Sequence, residues 1–120
     1  MLLIRLDWDT FNEELAKRYL NNFTKEGRWV LWRYLEDVSE QRELRGLSNI
    51  QIDFVVIALT FKQRSLKAFA KEYYLDDRDY DNLHKTIRDR LMEVERLIDF
   101  CEESGDIVYR NSTRTPTDSY

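Results

Sequence analysis

At 120 residues the chain has room for one compact domain and little for a second. Hydrophobic residues make up 42% and aromatic residues 13%, which excludes generic disorder, while three glycines and one proline supply too few turns for a many-stranded β fold. The formal net charge of −4 disfavours ordinary nucleic-acid binding, which rests on clustered Lys and Arg.

Leu2-Leu3-Ile4-Arg5-Leu6 reads as a short strand buried on at least one face. The same run is too short for a secretory leader, and no segment approaches the roughly 20 apolar residues of a membrane span, so a cytoplasmic protein is expected. Thr10 and Glu13 have the spacing of a capping box and predict a helix over 10–23, with Phe11, Leu15, Tyr19 and Phe23 inward. Thr24 is a second N-cap candidate, with Lys25-Glu26-Gly27 as a permissive first turn. Beyond it Trp29, Trp32, Leu35 and Val38 recur every three or four residues, widened by Leu31 and Tyr34, which predicts an amphipathic helix over 28–45. Gly46 stands where a helix C-cap glycine belongs, behind Arg42 and Arg45, whose charges suit the negative end of a helix.

The segment 50–61 is the most hydrophobic in the chain. Its β-branched and aromatic residues favour a strand over 51–61 buried on both faces, with a buried helix as the alternative, because periodicity does not separate the two in short apolar runs. Ser65 predicts the start of a helix reaching about residue 75, with Leu66, Phe69, Ala70 and Tyr73 inward. From Asp79 or Asp81 to Glu103, the stripe Leu83, Ile87, Leu91, Val94, Ile98 and Cys101 fits a single long helix. Ser104-Gly105 ends it, 106–110 reads as a last short strand, and 111–120 as a flexible tail. The expected architecture is one α+β domain over 1–110, about four helices on a sheet of two to three strands, with 51–61 central between 2–6 and 106–110.

Charge is distributed unevenly. Residues 51–75 carry four basic against two acidic side chains, a net of +2, and residues 76–103 five against ten, a net of −5. The densest part is Asp76-Asp77-Arg78-Asp79-Tyr80-Asp81, four carboxylates in six residues. The alternation Asp77, Asp79, Asp81 resembles the opening of a calcium-binding loop, but Asn82 stands where the sharp turn needs glycine and Arg88 where a bidentate Glu is required. Helix capping accounts for one or two of these carboxylates, and the others are surplus surface charge.

His84 is the single histidine, with Asp81 and Arg88 at helical spacing, a surface salt-bridge pattern and not a catalytic one. Cys101, on the apolar stripe beside Glu102 and Glu103, reads as a small hydrophobe, because a reactive thiol needs exposure and positive surroundings. No phosphate-cradling glycine loop, nucleophile elbow or Cys-x-x-Cys motif occurs, so neither an enzyme nor a metal or other cofactor is expected. Lys62, Arg64, Lys67 and Lys71, near Phe61 and Tyr74, form the one basic-aromatic stretch.

Two segments carry a resemblance. Thr24-Lys25-Glu26-Gly27, continuing through Leu31 to Tyr34-Leu35-Glu36-Asp37, resembles a segment of small phage and mobile-element accessory proteins. Residues 52–61 followed by 65–73 are similar to the apolar strand and next helix of the same proteins. Those proteins often carry Cys and acidic residues just after the strand, where this chain has Ala58, Lys62, Gln63 and Arg64. The resemblance covers about half the chain through scaffold positions. It implies no activity, only a setting: an accessory protein acting in a host bacterial cytoplasm.

These readings converge on a non-enzymatic interaction protein that binds and inhibits a host protein, such as a defence nuclease or CRISPR effector. Its contact surface would be Asp76, Asp77, Asp79, Asp81, Glu102 and Glu103, charges suited to steering onto and occluding a basic channel. The alternative is a small nucleic-acid-binding regulator using the basic face around 62–71. A third is an assembly protein that buries Trp and Tyr against its own copies.

Overall fold

The computed structural model describes residues 2–3, 7–47, 50–113 and 120. Along the chain run β1 (Leu2–Leu3), α1 (Trp8–Tyr19), α2 (Lys25–Leu44), β2 (Gln51–Ile52), α3 (Phe54–Thr60), β3 (Phe61–Arg64), α4 (Leu66–Glu72), α5 (Tyr80–Glu93), β4 (Leu97–Phe100) and β5 (Ile107–Arg110). β1 and β2 form an antiparallel pair, and the second sheet has the order β3-β5-β4, also antiparallel. The fold is α+β, as expected, with five helices among the described residues.

β5 organises the core. All four of its residues are buried, and because side chains alternate across a strand they serve two different clusters. Val108 joins Phe11 and Leu15 of α1, Leu31 and Leu35 of α2, and Phe54 and Ile57 of α3. Ile107 and Tyr109 join Leu66, Phe69 and Ala70 of α4 and Leu83, Ile87 and Leu91 of α5. The three-stranded sheet is thus covered by helices on both faces.

Local chemistry starts each helix. Thr24 Oγ1 accepts from Gly27 N at 3.1 Å, Ser65 Oγ from Ala68 N at 3.1 Å and Asp79 Oδ1 from Asn82 N at 3.3 Å, so those three caps stand where the sequence places them. The capping box at Thr10 is displaced: Asp7 is the cap, its Oδ1 accepting from Thr10 N at 2.8 Å, and α1 ends at Tyr19, short of 23. α2 begins at Lys25, in the first turn that Thr24 caps. Its buried line is Gly27, Arg28, Leu31 and Leu35, while Trp29 is half-exposed, edge-on to Trp8 at 4.9 Å. Gly46 has the expected positive φ of 70°.

Three expectations are corrected. The strand over 51–61 is instead β2, a helix and β3. Asp53 Oδ1 accepts from Val55 N and Val56 N at 3.0 and 3.2 Å, which starts α3, and Phe54, Ile57 and Phe61 then point inward at helical spacing while Leu59 is 71% exposed. The long helix ends at Glu93: Glu95 takes a positive φ of 56°, Arg96 N closes on Leu91 O at 2.8 Å, and Ile98 enters the core from a strand. The centre of the sheet is β5, not 51–61.

Of the strand expected at 2–6, residues 2–3 pair with β2, and 4–6 lie outside the described residues. The expected tail lies largely outside them too, at 114–119, but its last residue, Tyr120, is buried. The Tyr120 hydroxyl donates to Gln51 O at 2.6 Å and accepts from Asp53 N at 3.0 Å, and its carbonyl accepts from Arg110 Nη1 at 2.7 Å. Among the described residues no helix is long and apolar enough to cross a membrane.

Candidate functional site

The acidic run occupies the α4–α5 connection and the first turn of α5, and its four carboxylates have different fates. Asp76 clasps Arg78, accepting from its backbone N at 3.0 Å, its Nε at 3.0 Å and its Nη2 at 2.8 Å. The Arg78 side chain, with its backbone N–H, holds the Asp76 carboxyl down at about 2. Asp79 is the N-cap of α5. Asp77 and Asp81 face solvent.

Glu102 and Glu103 lie in the turn between β4 and β5, both exposed. Glu26 of α2 fastens that turn: its Oε2 accepts from Glu103 N at 2.7 Å and its Oε1 from Ser104 N at 3.1 Å, and these N–H groups hold the Glu26 carboxyl below its usual range. Burial, and then the Glu26 charge, pushes the neighbouring Cys101 thiol up to about 11, so it stays protonated inside the core. α5 packs over the same turn. His84 stacks on Phe100 at 4.1 Å, and the Tyr80 hydroxyl sits so close to Gly105 that a Cβ there would lie 2.9 Å from it. The structure therefore brings the 76–81 run beside the turn that carries Glu102 and Glu103.

Beyond these six residues lies a feature that the sequence does not announce. An open groove of about 620 Å³ runs between α2 and β4. Glu26, Glu36, Asp37 and Glu40 of α2 face Asp99 of β4 and Glu102 of the turn, with Trp29, Tyr34 and Phe100 supplying ring surface and Arg33 the single cation in its lining among the described residues. Glu36, Asp37 and Glu40 show one acidic helix face in the sequence. Asp99 joins them only because β4, predicted as helix, is a strand beside α2.

The basic stretch is less available than its composition suggests. Arg64 forms an ion pair with Glu72, and Phe61 is buried in the core, so it offers no face for stacking a base. Lys67 and Lys71 lie on exposed α4 positions. Among the described residues no three His, Cys, Asp or Glu side chains gather as a metal-holding group. Comparison with family models, with curated proteins and with solved structures finds no match to this chain.

Proposed function

We propose that the protein is a non-enzymatic inhibitor of a host factor, acting in a bacterial cytoplasm as a phage or mobile-element accessory protein. It binds a basic, nucleic-acid-handling partner, such as a defence nuclease or CRISPR effector, through its acidic surface. The observation that carries this reading is the groove between α2 and β4: among the described residues, six carboxylates against one guanidinium, with aromatic walls. Glu102 belongs both to that groove and to the turn beside the 76–81 run, so the two acidic regions form one extended surface. Such a surface accelerates encounter with a positive channel, and its rings can stack on Lys or Arg side chains of the partner.

The test is capture from host lysate followed by affinity measurement across salt concentrations. Binding is expected to weaken steeply as salt rises. Reversal of Asp76, Asp77 and Asp79 to Lys, or of Glu36, Asp37 and Glu40 to Lys, should abolish it. Unchanged binding by both triple variants rejects the acidic surface as the contact. Retardation of DNA or RNA at physiological salt would instead favour a nucleic-acid-binding regulator using Lys62, Lys67 and Lys71.

A further inference from the structure

The first turn of α2 also borders a site of opposite charge. Arg28 is only 7% exposed, yet among the described residues no carboxylate lies within ion-pair distance of its guanidinium. Its Nε donates to Asn12 Oδ1 at 2.6 Å and its Nη1 to Phe23 O at 2.7 Å. Both acceptors are neutral, so they fix the plane of the group without cancelling its charge. Arginine does not escape by losing its proton, so a buried guanidinium in neutral surroundings costs free energy until a counter-charge arrives. Burial alone pulls its pKa downward.

Arg28 lines a pocket of about 360 Å³ together with Lys25, Thr24, Asn22, Arg64 and Ser65. Among the described residues Asp106 is the one carboxylate in that lining, and its Oδ2 accepts from Gln63 Nε2 at 2.9 Å. Thr24 Oγ1 already accepts two hydrogen bonds, from Gly27 N at 3.1 Å and Gln63 Nε2 at 2.8 Å. A hydroxyl with both acceptor positions filled has its proton left to donate. α2, 20 residues long, turns the positive end of its dipole toward the same place.

We propose that this pocket binds a phosphate group, free or carried as a small phosphomonoester. The Arg28 fork and the Lys25 ammonium supply the counter-charge, the Thr24 hydroxyl supplies a directed donor, and Arg64 stands at the margin, shared with Glu72. The site is independent of the acidic surface and stands or falls without it.

An amide and guanidinium NMR titration tests the assignment, with inorganic phosphate as probe and sodium chloride matched for ionic strength as control. Saturable shifts are expected at the Lys25, Gly27 and Arg28 amides and at Arg28 Nε–H. Lys25→Glu, at an exposed position, should weaken binding by about tenfold or more while leaving the rest of the spectrum in place. Arg28→Lys, which keeps a charge but loses the fork, should weaken it as well, and if that variant does not fold, Lys25→Glu decides alone. A parallel titration with a nucleoside 5′-monophosphate separates the two sources, tighter saturation at the same resonances marking a phosphomonoester and equal or weaker saturation a free phosphate. Shifts that grow without saturating, that chloride reproduces, or that Lys25→Glu leaves unchanged overturn the proposal.

Discussion

The two faces of the β3-β5-β4 sheet share a central strand but mix rings and aliphatic side chains in different proportions. On the Val108 face, rings dominate: Phe11 packs against Trp32 at 5.2 Å and Phe54 at 6.0 Å, Trp8 against Trp29 at 4.9 Å, and Tyr34 against Phe61 at 5.8 Å. On the Ile107 and Tyr109 face, α5 contributes the aliphatic line Leu83, Ile87 and Leu91, and the rings are fewer, Phe69 lying edge-on to Tyr109 at 5.3 Å and stacked on Tyr73 at 4.4 Å. On the Val108 face several rings are incompletely buried and reach the rim. Trp29 and Tyr34 do this and become walls of the acidic groove, joined there by Phe100 from the opposite cluster. The ring-rich face thus supplies both core and most of the candidate contact surface's rings, whereas α5 on the opposite face positions the 76–81 run.

The largest expected effects come from truncating each face. Phe11 and Ile87 are both fully buried, and Phe11→Ala should cost about 3–5 kcal/mol and Ile87→Ala about 2–5 kcal/mol in urea unfolding. Because β5 belongs to both clusters, each variant should still unfold in one transition seen alike by Trp fluorescence and far-UV circular dichroism. Two separate transitions would show that the faces are independent units.

Gly27→Ala sharpens the comparison on the aromatic side. A Cβ at Gly27 would run into the Gln63 side-chain amide, which ties β3 to Thr24 and to Asp106. Displacing Gln63 gives up those hydrogen bonds, and a loss of about 2 kcal/mol is expected in thermal unfolding. A variant as stable as the parent would mean that Gln63 swings aside freely.

The smallest effect belongs to the acidic run. Asp76 has its folded value at about 2, below that of an unfolded Asp, so the stabilisation from its clasp on Arg78 is complete above about pH 4 and is lost as pH falls through about 2. Carboxyl ¹³C titration should give Asp76 a midpoint of about 2. A midpoint near 4 would mean that the clasp does not persist in solution.

What could be read from the sequence followed from how local its cause is. Thr24 and Ser65 act on backbone a few residues away, and Gly46 on its own φ, so those helix boundaries were visible. Residues 51–61 read as a strand because Val55, Val56 and Leu59 look like strand interior, whereas they are exposed on a helix that the Asp53 carboxylate starts. The apolar spacing through Ile98 and Cys101 continued past the end of α5, and the residue that breaks the helix, Glu95, gives no glycine or proline signal. The six acidic residues of 76–81 and 102–103 were visible as charge. The groove was not, since Glu26, Glu36 and Asp99 meet only through the packing of α2 on β4. Nothing in the sequence sets Arg28 apart from the other cations of α2, and only its burial distinguishes it.

The central position of β5 also bears on how the molecule is made. Phe61 waits for Arg110, so the strand that both cores lean on is synthesised after all five helices of the described residues. Until residues 107–110 emerge the three-stranded sheet has no centre, and the helix faces that pack on it stay open to other nascent chains or chaperones. Closing a pair as distant in sequence as Phe61 and Arg110 costs loop entropy before any packing is gained, which slows folding.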